Sequence, residues 1–183
     1  MTQAFTHRLA TEADIPALTA LAEAAIDALL GAVLTPAEVA ASRLIMGVDS
    51  QLIADGTYFV VEREGAIAGC GGWSRRATPY GGDHSPGRDA ALLDPATDAA
   101  KVRAMYTAPA FARRGVGRLV LELCERAAAE AGFHRLELTA TAAGEPLYAA
   151  YGFEPVRRFT DDRGGAPVPL CVMGKVIGGV VRT

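Results

Sequence analysis

Residues 101 to 131 restrict the possible folds more than any other part of the sequence. Lys101–Thr107 has the residue types of a strand, and a short turn joins it to an amphipathic helix predicted over Gly115–Ala131. Such a helix buries its apolar face against a second layer, so the segment predicts a mixed α/β domain around one sheet. That apolar face consists of Leu119, Val120, Leu123, Cys124, Ala127 and Ala131.

The rest of the sequence supplies about six more strands and about three more helices. Capping boxes at Thr11–Asp14 and Thr35–Glu38 predict two early helices, which end near Gly31 and Gly47. Arg75–Ala99 shows neither period and is predicted to be irregular, either as a mobile surface loop or as a functional one. The other predicted elements are strands over Phe5–Leu9, Tyr58–Glu62, Ala66–Ser74, His134–Thr141, Phe153–Phe159 and Val168–Val176, and a short helix over Pro146–Ala150.

Size, charge and cysteine content exclude several classes of protein. A chain of 183 residues without a linker is expected to form one domain over 1–183. The net charge is −3 with no large basic face, which argues against nucleic acid as a partner. Without a membrane-length apolar run or a signal pattern, we expect a cytoplasmic protein with no membrane partner. The three cysteines are expected in the core, with no disulfide and no metal site; they are Cys70, Cys124 and Cys171.

The turn before the helix has the features of a phosphate-binding site. Gly115 and Gly117 lie where the helix begins, and the first N–H groups of a helix have no internal partner. The helix dipole adds partial positive charge there, which suits a phosphate or pyrophosphate, although a plain tight turn has the same glycines. A nucleotide P-loop needs Ser or Thr at the position of Leu119. A dinucleotide-binding fingerprint needs a third Gly or Ala at the position of Val120. Flanking positive charge comes from Arg113, Arg114 and Arg118.

This turn resembles that of the GNAT acetyltransferase superfamily. The family pattern is Arg/Gln-x-x-Gly-x-Gly/Ala, and this chain has Ala112-Arg113-Arg114-Gly115-Val116-Gly117, with Ala112 departing from it. The resemblance implies acetyl-CoA as co-substrate, bound at the pyrophosphate mainly by backbone N–H groups. It also implies pairing of the pantetheine arm with the preceding strand. The implied cofactor-binding residues are Tyr106, Thr107, Arg113, Arg114, Gly115, Val116, Gly117 and Arg118.

A second motif supports the resemblance. Pro146–Phe153 is similar to the family's Tyr-x-x-x-Gly-Phe element and follows the glycine turn by one helix and one strand. Tyr148 takes the position of the tyrosine that protonates the leaving CoA thiolate, and the resemblance implies that it is the catalytic acid. The alternative is an aromatic side chain packed at the edge of the sheet. Tyr151 is interpreted as a packing residue, and the asparagine that often precedes the tyrosine is absent.

The resemblance implies a fold and a reaction. The fold is a single GNAT-like α/β (mixed α+β) domain with a mixed, mostly antiparallel sheet of about seven strands and about four helices. The reaction is direct transfer of an acetyl group from acetyl-CoA to an amine in a ternary complex. Backbone N–H groups near Thr107 are expected to polarise the thioester carbonyl. The alternatives are a non-catalytic acyl-CoA-binding sensor or interaction module, and another phosphate-ligand protein that uses the same helix terminus.

The acceptor and its site are less well defined by the sequence. The resemblance implies a small amine or a peptide as acceptor, and no metal. Trp73, Tyr80 and His84 are the candidates for the acceptor pocket, and a core position at the end of its strand is the alternative for Trp73. Asp83, His84 and Glu145 are open candidates for the general base, and a plain surface role is the alternative for Asp83 and His84. A homodimer is a further possibility, through a C-terminal strand edge whose residues are equally consistent with core positions: Val168, Leu170 and Val172.

Overall fold

The computed structural model describes residues 4–178, which form one α/β domain around a seven-stranded sheet. The rest of the predicted domain, 1–3 and 179–183, lies outside the described residues. The strands are β1 (Thr6–Leu9), β2 (Tyr58–Arg63), β3 (Ala66–Ser74), β4 (Ala100–Thr107), β5 (Arg135–Thr141), β6 (Glu154–Asp161) and β7 (Val168–Val176). The α-helices are α1 (Ile15–Ala25), α2 (Pro36–Ile45), α3 (Ser50–Ala54), α4 (Val116–Glu130) and α5 (Glu145–Tyr151).

The sheet has a parallel pair of strands at its centre. Its strand order is β1-β2-β3-β4-β5-β7-β6, and every neighbouring pair is antiparallel except β4 and β5. That parallel pair is joined at only two positions, where Ala100 pairs with Leu136 and Lys101 with Glu137. Among the described residues, β4 has no further partner on its β5 side. The two strands therefore separate towards their carboxyl ends and leave a gap in the middle of the sheet.

Helix α4 covers one face of the sheet and carries the larger core cluster. Val116, Val120 and Cys124 of α4 are fully buried against the sheet. A glycine in β3 lets the helix come this close, because a Cβ on Gly69 would lie 2.5 Å from Val116 Cγ1. The opposite face is covered by α1 and α2, whose apolar residues form two smaller clusters.

The predicted order of strands and long helices is confirmed, and the ends of the predicted strands differ from the observed ones by at most two residues. The first helix, predicted to end near Gly31, is α-helical as far as Ala25 and continues as a π-helical turn over Ile26–Leu30. Helix α3 was not predicted. It is short, and Asp49 caps it by accepting a hydrogen bond of 3.0 Å from the Gln51 N–H. The segment 75–99 is irregular as predicted, with one isolated bridge between Arg76 and Leu92. It is nonetheless held to the domain, since Arg76 forms a bidentate ion pair with Asp55 at 2.7 and 2.9 Å.

Of the two alternatives for the C-terminal strand, a dimer edge and core positions, the structure supports the core positions. Strand β7 lies inside the sheet, between β5 and β6. Val168 and Leu170 are buried against α2, and Val172 is half-buried on the same face. These residues belong to the chain's own interior, so the homodimer stays a prediction with no edge assigned to it. Within residues 4–178, no helix is both long and apolar enough to cross a membrane.

Candidate active site

The turn before α4 exposes the first N–H groups of a long helix. Gly115 has φ +89°, a left-handed conformation that is strained for any other residue type, and it stands immediately before the helix. Arg113 is also left-handed, with φ +63°. The Leu119 N–H is the first to bond back into the turn, at 3.0 Å from the Gly115 oxygen. The N–H groups of residues 116–118 therefore have no hydrogen-bond partner within residues 4–178 and can bind an anion.

The predicted cofactor residues occupy two environments. Arg113, Arg114 and Arg118 are exposed beside the turn, whereas the Val116 side chain is buried, so only the backbone of Val116 can face a ligand. The Arg118 guanidinium lies 5.6 Å from the centre of the Tyr151 ring and 3.0 Å from Glu122. This ion pair is exposed, and exposed pairs yield readily to a phosphate ligand. The side chains and the helix terminus thus give one positively charged surface.

Strand β4, which precedes this turn, contains a bulge between Arg103 and Tyr106. Cys70 pairs with Tyr106 but Gly72 pairs with Arg103, so β4 has one extra residue over this interval. Ala104 within the bulge has φ +51°, which is unusual for a residue with a side chain. The buried Tyr58 hydroxyl donates a 2.7 Å hydrogen bond to the Ala104 oxygen. This bond fixes the direction of the bulged peptide groups.

The gap between β4 and β5 forms a cavity of about 80 Å³. The bulge forms one wall and β5 the other, and Tyr148 of α5 also lines the cavity. Tyr106 contributes to the first wall, and its hydroxyl is fixed to Gly47 by accepting from the N–H at 2.9 Å and donating to the oxygen at 3.2 Å. Thr139 and Thr141 of β5 supply hydroxyl groups on the second wall.

Tyr148 is held in place by one neighbouring aromatic side chain, that of Phe153. Its ring makes an edge-on contact with Phe153, with centroids 6.2 Å apart. Burial of the hydroxyl raises the pKa of Tyr148 to about 12. The phenol is therefore protonated at neutral pH and can donate a proton into the cavity.

Of the three predicted acceptor residues, one lines the cavity. Tyr80 forms part of its wall, and its hydroxyl donates to Asp161 at 2.8 Å and accepts from Arg163 at 2.8 Å. Trp73 is buried in the core and meets Phe133 edge-on at 6.0 Å, so of its two alternatives the structure supports the core position and not the acceptor pocket. Its strand has glycines at neighbouring positions, which hide the alternation that would have shown its face.

The predicted base candidates lie away from the cavity. His84 is exposed, with Nε2 3.2 Å from the Arg43 oxygen, so the structure does not place it in the acceptor pocket. Asp83 accepts hydrogen bonds from the N–H and hydroxyl of Ser50. Glu145 is paired with Arg158, which holds the pKa of this carboxyl below its ordinary value.

Glu137 is a carboxylate that the sequence analysis missed. It lines an outer groove of about 470 Å³ that shares Pro79, Tyr80 and Thr139 with the inner cavity. Lys101 pairs with it at 2.5 Å. The signal was present in the alternation of β5, because Glu137 must face the same side of the sheet as Thr139.

A buried ion pair lies beside the cavity and was also missed. Arg103 lines the cavity, and its Nη1 lies 2.6 Å from Asp49 Oδ2. Arg88 approaches the same carboxylate from outside, at 2.8 Å from Oδ1. Arg103 also donates to the Gly81 oxygen at 2.7 Å. Burial lowers the pKa of Arg103, and the Asp49 charge opposes that shift.

Comparisons with solved structures agree on the fold. A GCN5-related N-acetyltransferase from Rhodopseudomonas palustris is 19% identical with a TM-score of 0.66, over 97% of each chain. Ribosomal-protein-alanine N-acetyltransferase from Brucella melitensis is 24% identical with a TM-score of 0.63, over 94% of this chain and 99% of that one. The structure of yncA from Salmonella typhimurium with its cofactor acetyl-CoA is 18% identical with a TM-score of 0.64, over 99% and 98%.

Sequence comparison gives the family. A search of curated proteins returns no match. A family model described as an acetyltransferase (GNAT) domain matches residues 54–155, more than half of the chain. The matched region runs from the end of α3 to the start of β6 and so includes the glycine turn, the bulge and Tyr148. On this match and on the fold, the chain belongs to the GNAT acetyltransferase family.

Proposed function

We propose that the chain is an N-acetyltransferase that moves the acetyl group of acetyl-CoA to a primary amine of a small molecule or peptide. Transfer is direct, within a ternary complex. The observation that carries the proposal is the cavity between β4 and β5, which is lined by the bulge of β4 and by a protonated Tyr148. An open helix N-terminus follows the same strand, β4.

Acetyl-CoA binding follows from these features. The free N–H groups at the start of α4 and the neighbouring arginines bind the pyrophosphate. Beyond Lys101, the β5-facing edge of β4 has no strand partner among the described residues, so its backbone groups are available to the pantetheine arm. The thioester then lies in the gap, where N–H groups of the bulged strand polarise its carbonyl.

Tyr148 and Glu137 supply the proton chemistry. The amine attacks the thioester carbon, and the C–S bond breaks as the C–N bond forms. Tyr148 donates its proton to the departing CoA thiolate. The amine loses its own proton to Glu137 through water, because this carboxylate lines the groove that adjoins the cavity. The ion pair with Lys101 orients the Glu137 carboxylate between turnovers.

Binding and chemistry are tested separately. Acetyl-CoA at about a hundred times its Kd is expected to stabilise the protein by about 2.7 kcal/mol, with ATP and NADH as controls. That is about 5–11 °C in the midpoint of thermal unfolding. No shift with acetyl-CoA, or an equal shift with ATP, refutes the cofactor. A normal acetyl-CoA shift with no CoA release by any amine favours the sensor or interaction module instead.

A variant of Tyr148 tests the acid. Tyr148→Phe is expected to lower kcat about 100-fold while the acetyl-CoA shift stays intact, because the ring remains and only the proton donor is lost. Tyr151→Phe is the matched control. Tyr151 lies one helical turn away in α5, and its ring contacts the Arg118 and Lys175 side chains and does not line the cavity. It is expected to keep at least half of the activity. Equal turnover by Tyr148→Phe and wild type would remove Tyr148 from the mechanism.

A further inference from the structure

We propose that the acceptor amine carries a carboxylate, and that Arg157 binds this carboxylate in the outer groove. The proposal rests on the proposed function, because it concerns the second substrate of the same site. It narrows the acceptor from amines in general to anionic amines such as amino acids.

The position of Arg157 follows from the register of three strands. Thr139 of β5 pairs with Val172 of β7, and Val172 pairs with Arg157 of β6. Neighbouring strands are about 4.8 Å apart, so the Arg157 backbone lies about 10 Å from that of Thr139. All three residues line the groove, and Thr139 also lines the inner cavity. An acceptor whose amine enters the cavity therefore has its other groups within reach of the Arg157 side chain.

Arg157 is oriented but not neutralised. Its guanidinium carbon lies 4.7 Å from the centre of the Phe159 ring, a stacking arrangement that restricts the planar group. Among residues 4–178 no carboxylate forms an ion pair with it, whereas the adjacent Arg158 is paired with Glu145. A restricted guanidinium with free donors is suited to a bidentate contact with a carboxylate.

The charges around the cavity and groove leave a positive surplus. Glu137 forms an ion pair with Lys101 at 2.5 Å, and Asp161 forms one with Arg163 at 2.5 Å. Each of these pairs is neutral, so neither attracts a cationic acceptor. This surplus occurs in a chain whose net charge is −3, so it is local to the site.

The inner end of the site adds a second positive charge. One carboxylate, Asp49, serves both Arg103 and Arg88, so this group of three carries a net charge of +1. The Arg103 side chain is 2% exposed, and its Nε has no hydrogen-bond partner among the described residues. A positive cavity wall disfavours an ammonium ion and favours the neutral, reactive amine. An anionic group elsewhere on the acceptor offsets that repulsion.

Matched amines test the proposal. The probe pair is phenylalanine and 2-phenylethylamine, which differ only in the carboxylate, and CoA release gives kcat/KM for each. We expect wild type to prefer phenylalanine about tenfold or more, the range of one charge-assisted contact. Arg157→Gln is expected to lose most of this preference while 2-phenylethylamine is unaffected. Arg126→Gln is the control, because Arg126 is exposed on α4 and has no ion-pair partner among the described residues.

The outcomes separate the proposal from the function on which it rests. Equal kcat/KM for the two amines, or an unchanged preference in Arg157→Gln, overturns the carboxylate site and leaves the acetyltransferase intact. If the preference for phosphoethanolamine over ethanolamine exceeds that for phenylalanine over 2-phenylethylamine, the site binds phosphate and the carboxylate proposal is also overturned. If neither amine is turned over, calorimetric titration of the pair into the CoA-bound protein decides the question, since equal affinities overturn the proposal. Failure of acetyl-CoA itself to bind is a failure of the proposed function.

Discussion

The buried Asp49 carboxylate is expected to be the most sensitive polar group in the chain. Its side chain is 0% exposed, and it compensates Arg103, which is 2% exposed. Asp49→Asn keeps the shape and the cap of α3 but leaves the Arg103 charge buried without a counter-ion. Breaking a buried pair in this way costs about 3–5 kcal/mol. For a chain of this length, each kcal/mol lowers the midpoint of thermal unfolding by about 2–4 °C, so the expected fall is about 6–20 °C.

Urea and thermal unfolding of Asp49→Asn measure this loss directly. Glu122→Gln is the control, because its pair with Arg118 is exposed on both sides, at 63% and 48%, and is worth about 0.5 kcal/mol or less. Adding Arg103→Met to Asp49→Asn removes the uncompensated charge and is expected to recover part of the stability. A loss under about 1 kcal/mol in Asp49→Asn, or a further loss in the double variant, would refute the reasoning.

Two further predictions concern packing and pH. Gly69→Ala is expected to destabilise the protein by about 1–3 kcal/mol, because its Cβ would lie 2.5 Å from a side chain of α4, whereas Gly174→Ala, where the nearest contact is 3.4 Å, should be nearly neutral in urea unfolding. Arg163 lowers the pKa of Asp161 to about 2, so the stabilisation by this carboxylate is complete above about pH 4 and is lost as the pH falls through 2. Between pH 4 and 2, the free energy of unfolding of Asp161→Asn should therefore fall by about 1–2 kcal/mol less than that of wild type. Asp162→Asn changes an exposed neighbour and should follow the wild-type curve. Parallel curves of unfolding free energy against pH for all three proteins would contradict this assignment.

Much of the fold was predictable because its signals are local. Alternation, helical period and capping boxes each act within a few residues, and they gave the strands and the long helices in the right order. Helix α3 was missed because five residues are too few to show a period, and it is stabilised by its cap and by tertiary packing. The irregular segment 75–99 was predicted as irregular, but its attachment through Arg76 and Asp55 is a contact across 21 positions that no local pattern contains.

The site divides in the same way. Gly115 and Tyr148 belong to short motifs, so the sequence alone was enough to propose them as site residues. Asp49 and Arg103 are 54 positions apart and meet only because the loop before α3 folds against β4. Nothing in the sequence links an aspartate in one to an arginine in the other. The bulge is also hidden, since Ala104 is an ordinary residue in an ordinary strand until the register with β3 is known.

The meeting of the two motifs has a topological cause. Helix α4 connects β4 to β5, and a strand–helix–strand crossover makes the two strands parallel. Parallel strands end on the same side of a sheet, so whatever follows β4 and whatever follows β5 must lie close together. The glycine turn follows β4, and α5 with Tyr148 follows β5. The crossover that forms α4 thus also brings Tyr148 to the gap between the strands, and a chain with β4 and β5 antiparallel would separate Tyr148 from the glycine turn.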